Sequence, residues 1–185
     1  KDFGKNIIPS MLAAGEKLWP YRFEGYWRDV GTIISLWDAN MDMLSPTLID
    51  LYNEDWPIRG RSAIRPPQWI GGQAEVSHSI VTEGCEVEGS VSNSVLSNSV
   101  VVGEGAVVNY SILMPGAEIE PGAVIEYAII GERTRIGANA HVGTQPDGSE
   151  SWGVATVGPG ICVGENAVIP AGAMIYEDTE VERHD

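Results

Sequence analysis

A chain of 185 residues, 43% hydrophobic and 20% charged, carries enough apolar material for one or two small cored domains and is too apolar to be disordered. No apolar run approaches the ~18 residues that a membrane helix requires. A formal net charge of −15 argues against nucleic acid and anionic membranes as partners. The opening Lys1-Asp2-Phe3-Gly4 lacks Met and reads as a cut inside a longer protein. Cys85 and Cys162 are too few for a disulfide framework and too far apart for a metal motif, which favours a reducing cytoplasm. The charge is uneven: residues 1–65 hold 8 basic and 9 acidic side chains, residues 66–185 hold 3 and 17. Any phosphate contact is therefore expected in the first 65 positions.

Residues 1–56 read as a small α/β segment. Lys5 to Ala14 suits a short helix with Pro9 in its first turn and Gly15 as its stop. Tyr21 to Tyr26 suits a strand. Thr32 to Leu44 carries Ile33, Leu36, Trp37, Met41 and Leu44 at a helical period, with Thr32 as N-cap. A second short helical stretch is expected at Thr47 to Tyr52. Residues 57–70 form a linker, punctuated by Pro57, Gly60, Pro66 and Pro67 and charged by Arg59, Arg61 and Arg65.

From residue 71 to 185 the period becomes six. Val81 and Val87 start it. Val95, Val101, Val107, Leu113, Ile119 and Ile125 continue it, the frame slips by one, and Ile130, Ile136 and Val142 follow. After an irregular insertion at 143–156, Val157, Val163, Ile169, Ile175 and Val181 resume the step. Small residues stand four after an aliphatic residue, Ala106 after Val102, Ala123 after Ile119, Thr134 after Ile130, Ala140 after Ile136, Ala167 after Val163 and Ala173 after Ile169. Glycine often follows the aliphatic residue directly, as at Gly103, Gly131, Gly137, Gly158 and Gly164. One hexad is one short strand plus a corner where Gly or Asn takes positive φ, and three hexads close a coil. A single coil cannot hide its apolar face, so stacking supplies the core. Roughly ninety repeat residues give about five coils of a parallel β-helix.

Chemistry concentrates at Glu24-Gly25-Tyr26-Trp27-Arg28-Asp29-Val30-Gly31-Thr32. A carboxylate between a strand end and a helix start is where α/β proteins hold phosphates and metals. Asp29 therefore has two readings: a ligand for Mg²⁺, or a group that caps the helix or pairs with Arg28. The arginines Arg59, Arg61 and Arg65 also have two, a solvated linker or a phosphate-recognising cluster. His78, His141 and His184 are read as corner or surface residues, and the 143–156 insertion as a surface loop anchored by Trp152 or contacting another subunit.

The run Tyr26-Trp27-Arg28-Asp29-Val30-Gly31-Thr32, followed by Trp37, Ala39-Asn40-Met41-Asp42 and Leu44, resembles the bacterial glucose-1-phosphate adenylyltransferase family. Asp2-Phe3-Gly4-Lys5-Asn6-Ile7-Ile8-Pro9 and Trp56-Pro57-Ile58 are similar to further segments of it. The resemblance implies a nucleotidyltransferase domain followed by a left-handed parallel β-helix, assembled as a homotetramer. It implies ATP and glucose 1-phosphate as substrates, ADP-glucose and pyrophosphate as products in glycogen synthesis, and control by a phosphorylated metabolite. By the same resemblance Asp29 holds the catalytic Mg²⁺ and Trp27 lines the sugar side, while Asp2 and Lys5 lie near the site without an assigned role. The family's Gly-rich nucleotide loop, first metal carboxylate and sugar-phosphate lysine have no match here, so the chain alone is expected to be inactive. A hexapeptide-repeat acyltransferase and a non-catalytic regulatory subunit are the alternative readings.

Overall fold

The computed structural model describes residues 1–60 and 64–179, so Arg61, Val181 and His184 lie outside the described residues. The chain opens with a π-helical turn, Phe3–Ile7, whose first turn is capped by the Asp2 carboxylate accepting from the Lys5 amide at 2.7 Å. It runs directly into α1, Ile8–Ala13, with Pro9 at the tolerated N-terminal position and Gly15 leaving the helix at φ +73. Residues 16–31 form no helix or strand. The expected strand at Tyr21–Tyr26 is absent because a strand exists through its ladder, and no neighbouring strand pairs with it among the described residues. The N-terminal segment is thus helical and irregular, not α/β. α2, Ile33–Asp42, begins where the sequence predicts, and Thr32 and Ser35 form a reciprocal capping box. The expected helix at Thr47–Tyr52 is only a pair of turns.

From Trp69 the chain winds as a parallel β-solenoid with three six-stranded sheets. The first sheet stacks β1 (Trp69–Ile70), β4 (Glu86–Val87), β7 (Val101–Val102), β10 (Glu118–Ile119), β13 (Arg135–Ile136) and β16 (Cys162–Val163). The second stacks β2 (Glu75–Ser77), β5 (Ser90–Ser92), β8 (Val107–Asn109), β11 (Val124–Glu126), β14 (His141–Val142) and β17 (Val168–Ile169). The third stacks β3 (Ile80–Val81), β6 (Val95–Leu96), β9 (Ile112–Leu113), β12 (Ala128–Ile130), β15 (Ala155–Val157) and β18 (Met174–Ile175).

Identical ladder positions carry the core. In the first sheet Val87, Val102, Ile119, Ile136 and Val163 are stacked in register and buried. Val91, Val108, Ile125, Val142 and Ile169 do the same in the second, and Leu96, Leu113, Ile130 and Val157 in the third. Each such side chain contributes about 1.5–3 kcal/mol by leaving water. Ala106, Ala123, Thr134 and Ala140 are fully buried at the corners, as their spacing requires.

The sequence frame needs one correction. Leu96, Val102 and Val108 point inward, whereas Val101 and Val107 are 37% and 38% exposed. The side between the second and third sheets is short. Only five positions separate Val91 from Leu96, Val108 from Leu113 and Ile125 from Ile130. A strict six-residue step therefore drifts off the core face once per coil, and one position of drift swaps inside for outside.

The corners also differ in chemistry. Between the first and second sheets positive φ falls on Gly105, Gly122, Asn139 and Asn166, as expected. Between the second and third it falls on His78, Asn93, Tyr110 and Tyr127. A buried serine ladder holds that corner: the Ser111 amide donates to Ser94 Oγ at 3.0 Å and the Ala128 amide to Ser111 Oγ at 3.1 Å. Each hydroxyl donates onward to the carbonyl two residues earlier, so no polar group of the ladder is left unpaired. The glycines that follow the aliphatic residues serve close stacking, not turning. A Cβ on Gly131 would lie 2.5 Å from the Gly158 carbonyl carbon of the next coil. The C-terminal edge is covered by Asp178 and Thr179, whose side chains accept from the Cys162 and Gly164 amides at 2.8 Å.

α2 lies on the outer face of the third sheet. Ile33, Leu36, Trp37 and Met41 pack against Ile112 and Ile129. The Trp37 indole N–H donates to the Tyr110 carbonyl at 2.7 Å, and its ring stands 5.8 Å from that of Tyr127. Tyr110 and Tyr127 stack at 4.8 Å, and Trp152 meets Tyr127 edge-on at 5.6 Å. Trp152 thus anchors the 143–156 insertion to its own solenoid, and its indole N–H donates to the Thr144 carbonyl at 3.0 Å. No helix among the described residues is long and apolar enough to cross a membrane.

Candidate functional site

The candidate site is built on the entry into α2. Tyr26 and Arg28, two apart in an extended stretch, face the helix together. The Tyr26 hydroxyl donates to Asp42 Oδ2 at 3.0 Å. Arg28 bridges Asp38 at 3.1 Å and Asp42 at 2.7 Å. Asp38 and Asp42 are four apart, so one helix face presents both carboxylates. Desolvation, then the hydrogen bond and the charge of Asp42, raise the Tyr26 phenol above its usual range, which keeps it a donor. This brace fixes the 25–29 stretch against α2. It involves three residues to which the sequence reading gave no role in the site, Tyr26, Asp38 and Asp42. The period-two spacing of Tyr26 and Arg28 opposite an i, i+4 carboxylate pair was the available signal.

Trp27 and Asp29, together with Gly25, Tyr26, Arg28, Asp42, Thr47 and Leu48, line an open cleft of about 740 Å³. Trp27 is 75% exposed. The Asp29 carboxylate lies beside Gly31, where a Cβ would stand 3.6 Å from Oδ1. Among the described residues no hydrogen bond or ion pair engages Asp29. The capping role is taken by Thr32, and the neighbouring Arg28 is committed to Asp38 and Asp42. Among the described residues no three His, Cys, Asp or Glu side chains gather closely enough to hold a metal ion. Asp29 is accordingly an exposed single carboxylate without a partner among the described residues.

The structure does not bring Arg59 or Arg65 to this cleft. Arg59 is exposed, and Arg65 runs along a solenoid corner, sharing a cleft of about 300 Å³ with Asn98, Ser99, Glu132 and Arg133. Arg133 is paired with Glu132 at 2.9 Å. His78 Nδ1 meets Asn93 Oδ1 at 2.9 Å, and His141 Nε2 stands 3.5 Å from Glu126 on the outer face of the second sheet. His78 sits at a corner, whereas His141 is half-buried on strand β14 and not at the exposed corner that the sequence suggests.

Two family models match this arrangement. Residues 68–163 match the model described as GlmU-like, C-terminal hexapeptide, and residues 1–46 match the nucleotidyl transferase model. The chain belongs to the GlmU-like hexapeptide-repeat family. Its curated relatives carry the name glucose-1-phosphate adenylyltransferase, as the sequence resemblance implies. The relative from Acetivibrio thermocellus is 41% identical over 183 residues, 98% of this chain and 43% of that protein. The relative from Clostridium perfringens strain SM101 is 52% identical over 120 residues, 64% of this chain and 31% of that protein. The chain thus spans less than half the length of these relatives. A solved acetyltransferase domain of PglB from Neisseria gonorrhoeae, in complex with acetyl coenzyme A, is 30% identical over 60% of this chain and 54% of that one, with a TM-score of 0.48.

Proposed function

We propose that this chain is the C-terminal part of a glucose-1-phosphate adenylyltransferase, supplying one metal carboxylate, part of the sugar wall and a solenoid for assembly and control. In the whole enzyme a phosphate oxygen of glucose 1-phosphate attacks the α-phosphorus of ATP. A new P–O bond forms, the bond to the β-phosphate bridge breaks, and pyrophosphate leaves. Such chemistry rests on positioning and charge neutralisation. Mg²⁺, when bound, would offset the charge that builds on the phosphates. The observation that carries the reading is the uncommitted Asp29 carboxylate on the wall of a cleft it shares with Trp27, beside Tyr26 and Arg28, which line the same cleft and are braced against α2.

Each residue has a distinct task in this reading. Asp29 presents its oxygens to the cation. Trp27 offers an aromatic face to the sugar. Arg28 and Tyr26 are positioning residues that hold the stretch rigid through Asp38 and Asp42. Alone, the chain would bind the cation weakly, since one carboxylate without a second and without phosphates is a poor Mg²⁺ site. We propose accordingly that the isolated chain has no adenylyltransferase activity. In the whole protein, the flat solenoid faces would serve a homo-oligomer in the cytoplasm. Arg59, Arg61 and Arg65 would meet a phosphorylated effector.

The test joins this chain to the part of the A. thermocellus relative that lies outside the match, and follows pyrophosphate release from ATP and glucose 1-phosphate. Activity that falls by orders of magnitude in Asp29→Asn and survives in Arg59→Ala supports the assignment. Unchanged turnover in Asp29→Asn would remove Asp29 from the chemistry.

A further inference from the structure

The chain leaves α2 through a compact turn. The Leu48 and Ile49 amides both donate to the Ser45 carbonyl, at 3.0 and 3.2 Å, so residues 45–49 fold as one unit. That unit is a wall between two hollows. Thr47 and Leu48 line the cleft that holds Trp27 and Asp29. Pro46 and Ile49 line a second cavity of about 240 Å³, bounded on its other side by the first coil of the solenoid at His78, Ser79 and Ile80. Neither the proposed chemistry nor the solenoid core uses this second cavity.

Its lining selects a ligand. Met43, Leu44, Ile49 and Ile80 make the walls apolar. The polar groups left to a ligand are acceptors. Asp50 is a carboxylate, and one of its oxygens already accepts from the Tyr52 amide at 3.0 Å. The Ser79 hydroxyl donates to the Ser77 carbonyl and accepts from the Ser94 amide. Asn93 gives its amide N–H to Asn109 Oδ1, so its own Oδ1 accepts from His78 Nδ1, 2.9 Å away. A neutral His78 ring then carries its lone pair on Nε2. No Lys or Arg lines the cavity, so an anion has no counter-charge there. An apolar cavity of ~150 Å³ is enough for one benzene ring, and this one is larger.

We propose that this cavity binds a small uncharged molecule, one ring or branched chain bearing a single O–H or N–H donor, and that filling it fixes the cleft wall at Thr47 and Leu48. The apolar body would displace water from the walls, and the donor would meet His78 Nε2. A filled cavity would hold Ile49 against the first coil, and the shared turn would carry that restraint to Leu48. Binding here requires neither ATP nor a sugar phosphate.

The experiment titrates the 185-residue chain with 4-fluorophenol and follows the fluorine signal by NMR. Saturable binding in the millimolar range or tighter is expected. Fluorobenzene, which lacks the donor, should bind about fivefold more weakly, and 4-fluorobenzoate should not bind. His78→Asn keeps a residue type that tolerates the positive φ of this corner. It should weaken 4-fluorophenol about fivefold and leave fluorobenzene unchanged. Ile49→Trp should fill the cavity and abolish binding of both, with the denaturant midpoint of the solenoid unaltered. Amide exchange at Leu48 and Ile49 should slow about fivefold or more when 4-fluorophenol is bound. No saturable binding to the native chain, binding that survives Ile49→Trp, or a preference for 4-fluorobenzoate would overturn the site. Binding that leaves exchange at Leu48 unaltered would overturn its tie to the cleft.

Discussion

Replacing Trp37 by Ala tests how the segment bearing the candidate site is held on the solenoid. Trp37 donates a hydrogen bond to the Tyr110 carbonyl at 2.7 Å, worth about 1 kcal/mol net. Its ring contact with Tyr127 at 5.8 Å adds about 0.5–1.5 kcal/mol, and the apolar area shared with Ile112 and Ile129 about another 1 kcal/mol. The expected loss is about 3 kcal/mol of docking, which is roughly a hundredfold in the equilibrium between docked and released α2. Trp37→Phe keeps a ring and loses the donor, so roughly a fivefold change is expected. Native-state hydrogen exchange resolves the two, because α2 amides report release while the solenoid amides report global opening. Exchange in α2 should quicken a hundredfold in Trp37→Ala, with β9 and β12 unchanged. Equal acceleration in α2 and in those strands, or none in either, would refute the view that this one indole fastens a separable helix.

The remaining predictions concern the corner and the core. Ser111→Ala removes a buried hydroxyl that accepts from the Ala128 amide and donates to the Asn109 carbonyl, so it should cost about 2–4 kcal/mol in denaturant unfolding. A cost below 0.5 kcal/mol would mean the ladder is not needed. Burial first, then the charges of Tyr110 and Glu126, raise the Tyr127 phenol. A folded value above the unfolded one contributes stability that is complete below pH ~10 and is lost as pH rises through the folded value. Near-ultraviolet dichroism of the aromatic cluster should therefore decline only above pH ~10, and Tyr127→Phe should abolish the decline. Burial likewise raises the Cys85 thiol, so it should resist a thiol reagent in the native state and react once the chain is unfolded. Immediate titration of both cysteines in native protein would contradict the burial.

The fold was legible because aliphatic residues recur at six with small residues four later, and Leu113, Ile119, Ile125, Ile130, Ile136 and Val142 all lie in the core as that pattern requires. The frame failed where two aliphatics stand together. Val95-Leu96, Val101-Val102 and Val107-Val108 offer two equally apolar choices, and only the short five-residue side decides between them. Ser94 and Ser111 mark that side, but buried serines read as surface residues until their ladder partners are known. Tyr110 and Tyr127 at positive φ were likewise invisible. A left-handed tyrosine costs roughly 1–2 kcal/mol, and the contacts that offset it, the Trp37 indole hydrogen bond to the Tyr110 carbonyl and the Trp152 ring on Tyr127, are made across 73 and 25 positions of sequence. At the candidate site, Thr32 as the helix cap was legible from its residue type and place. The absence of a strand at Tyr21–Tyr26 was not, because hydrophobic pattern reports what a segment can pair with and not whether a partner strand is there.

The most direct measurement is pyrophosphate release from ATP and glucose 1-phosphate by this chain joined to the remainder of the A. thermocellus relative, with and without Asp29→Asn. The account predicts turnover in the joined protein, a fall of about a thousandfold or more in the variant, and an unaltered thermal midpoint, since Asp29 makes no contact that folding needs. Turnover that persists in Asp29→Asn, or activity in the 185-residue chain alone, would contradict it.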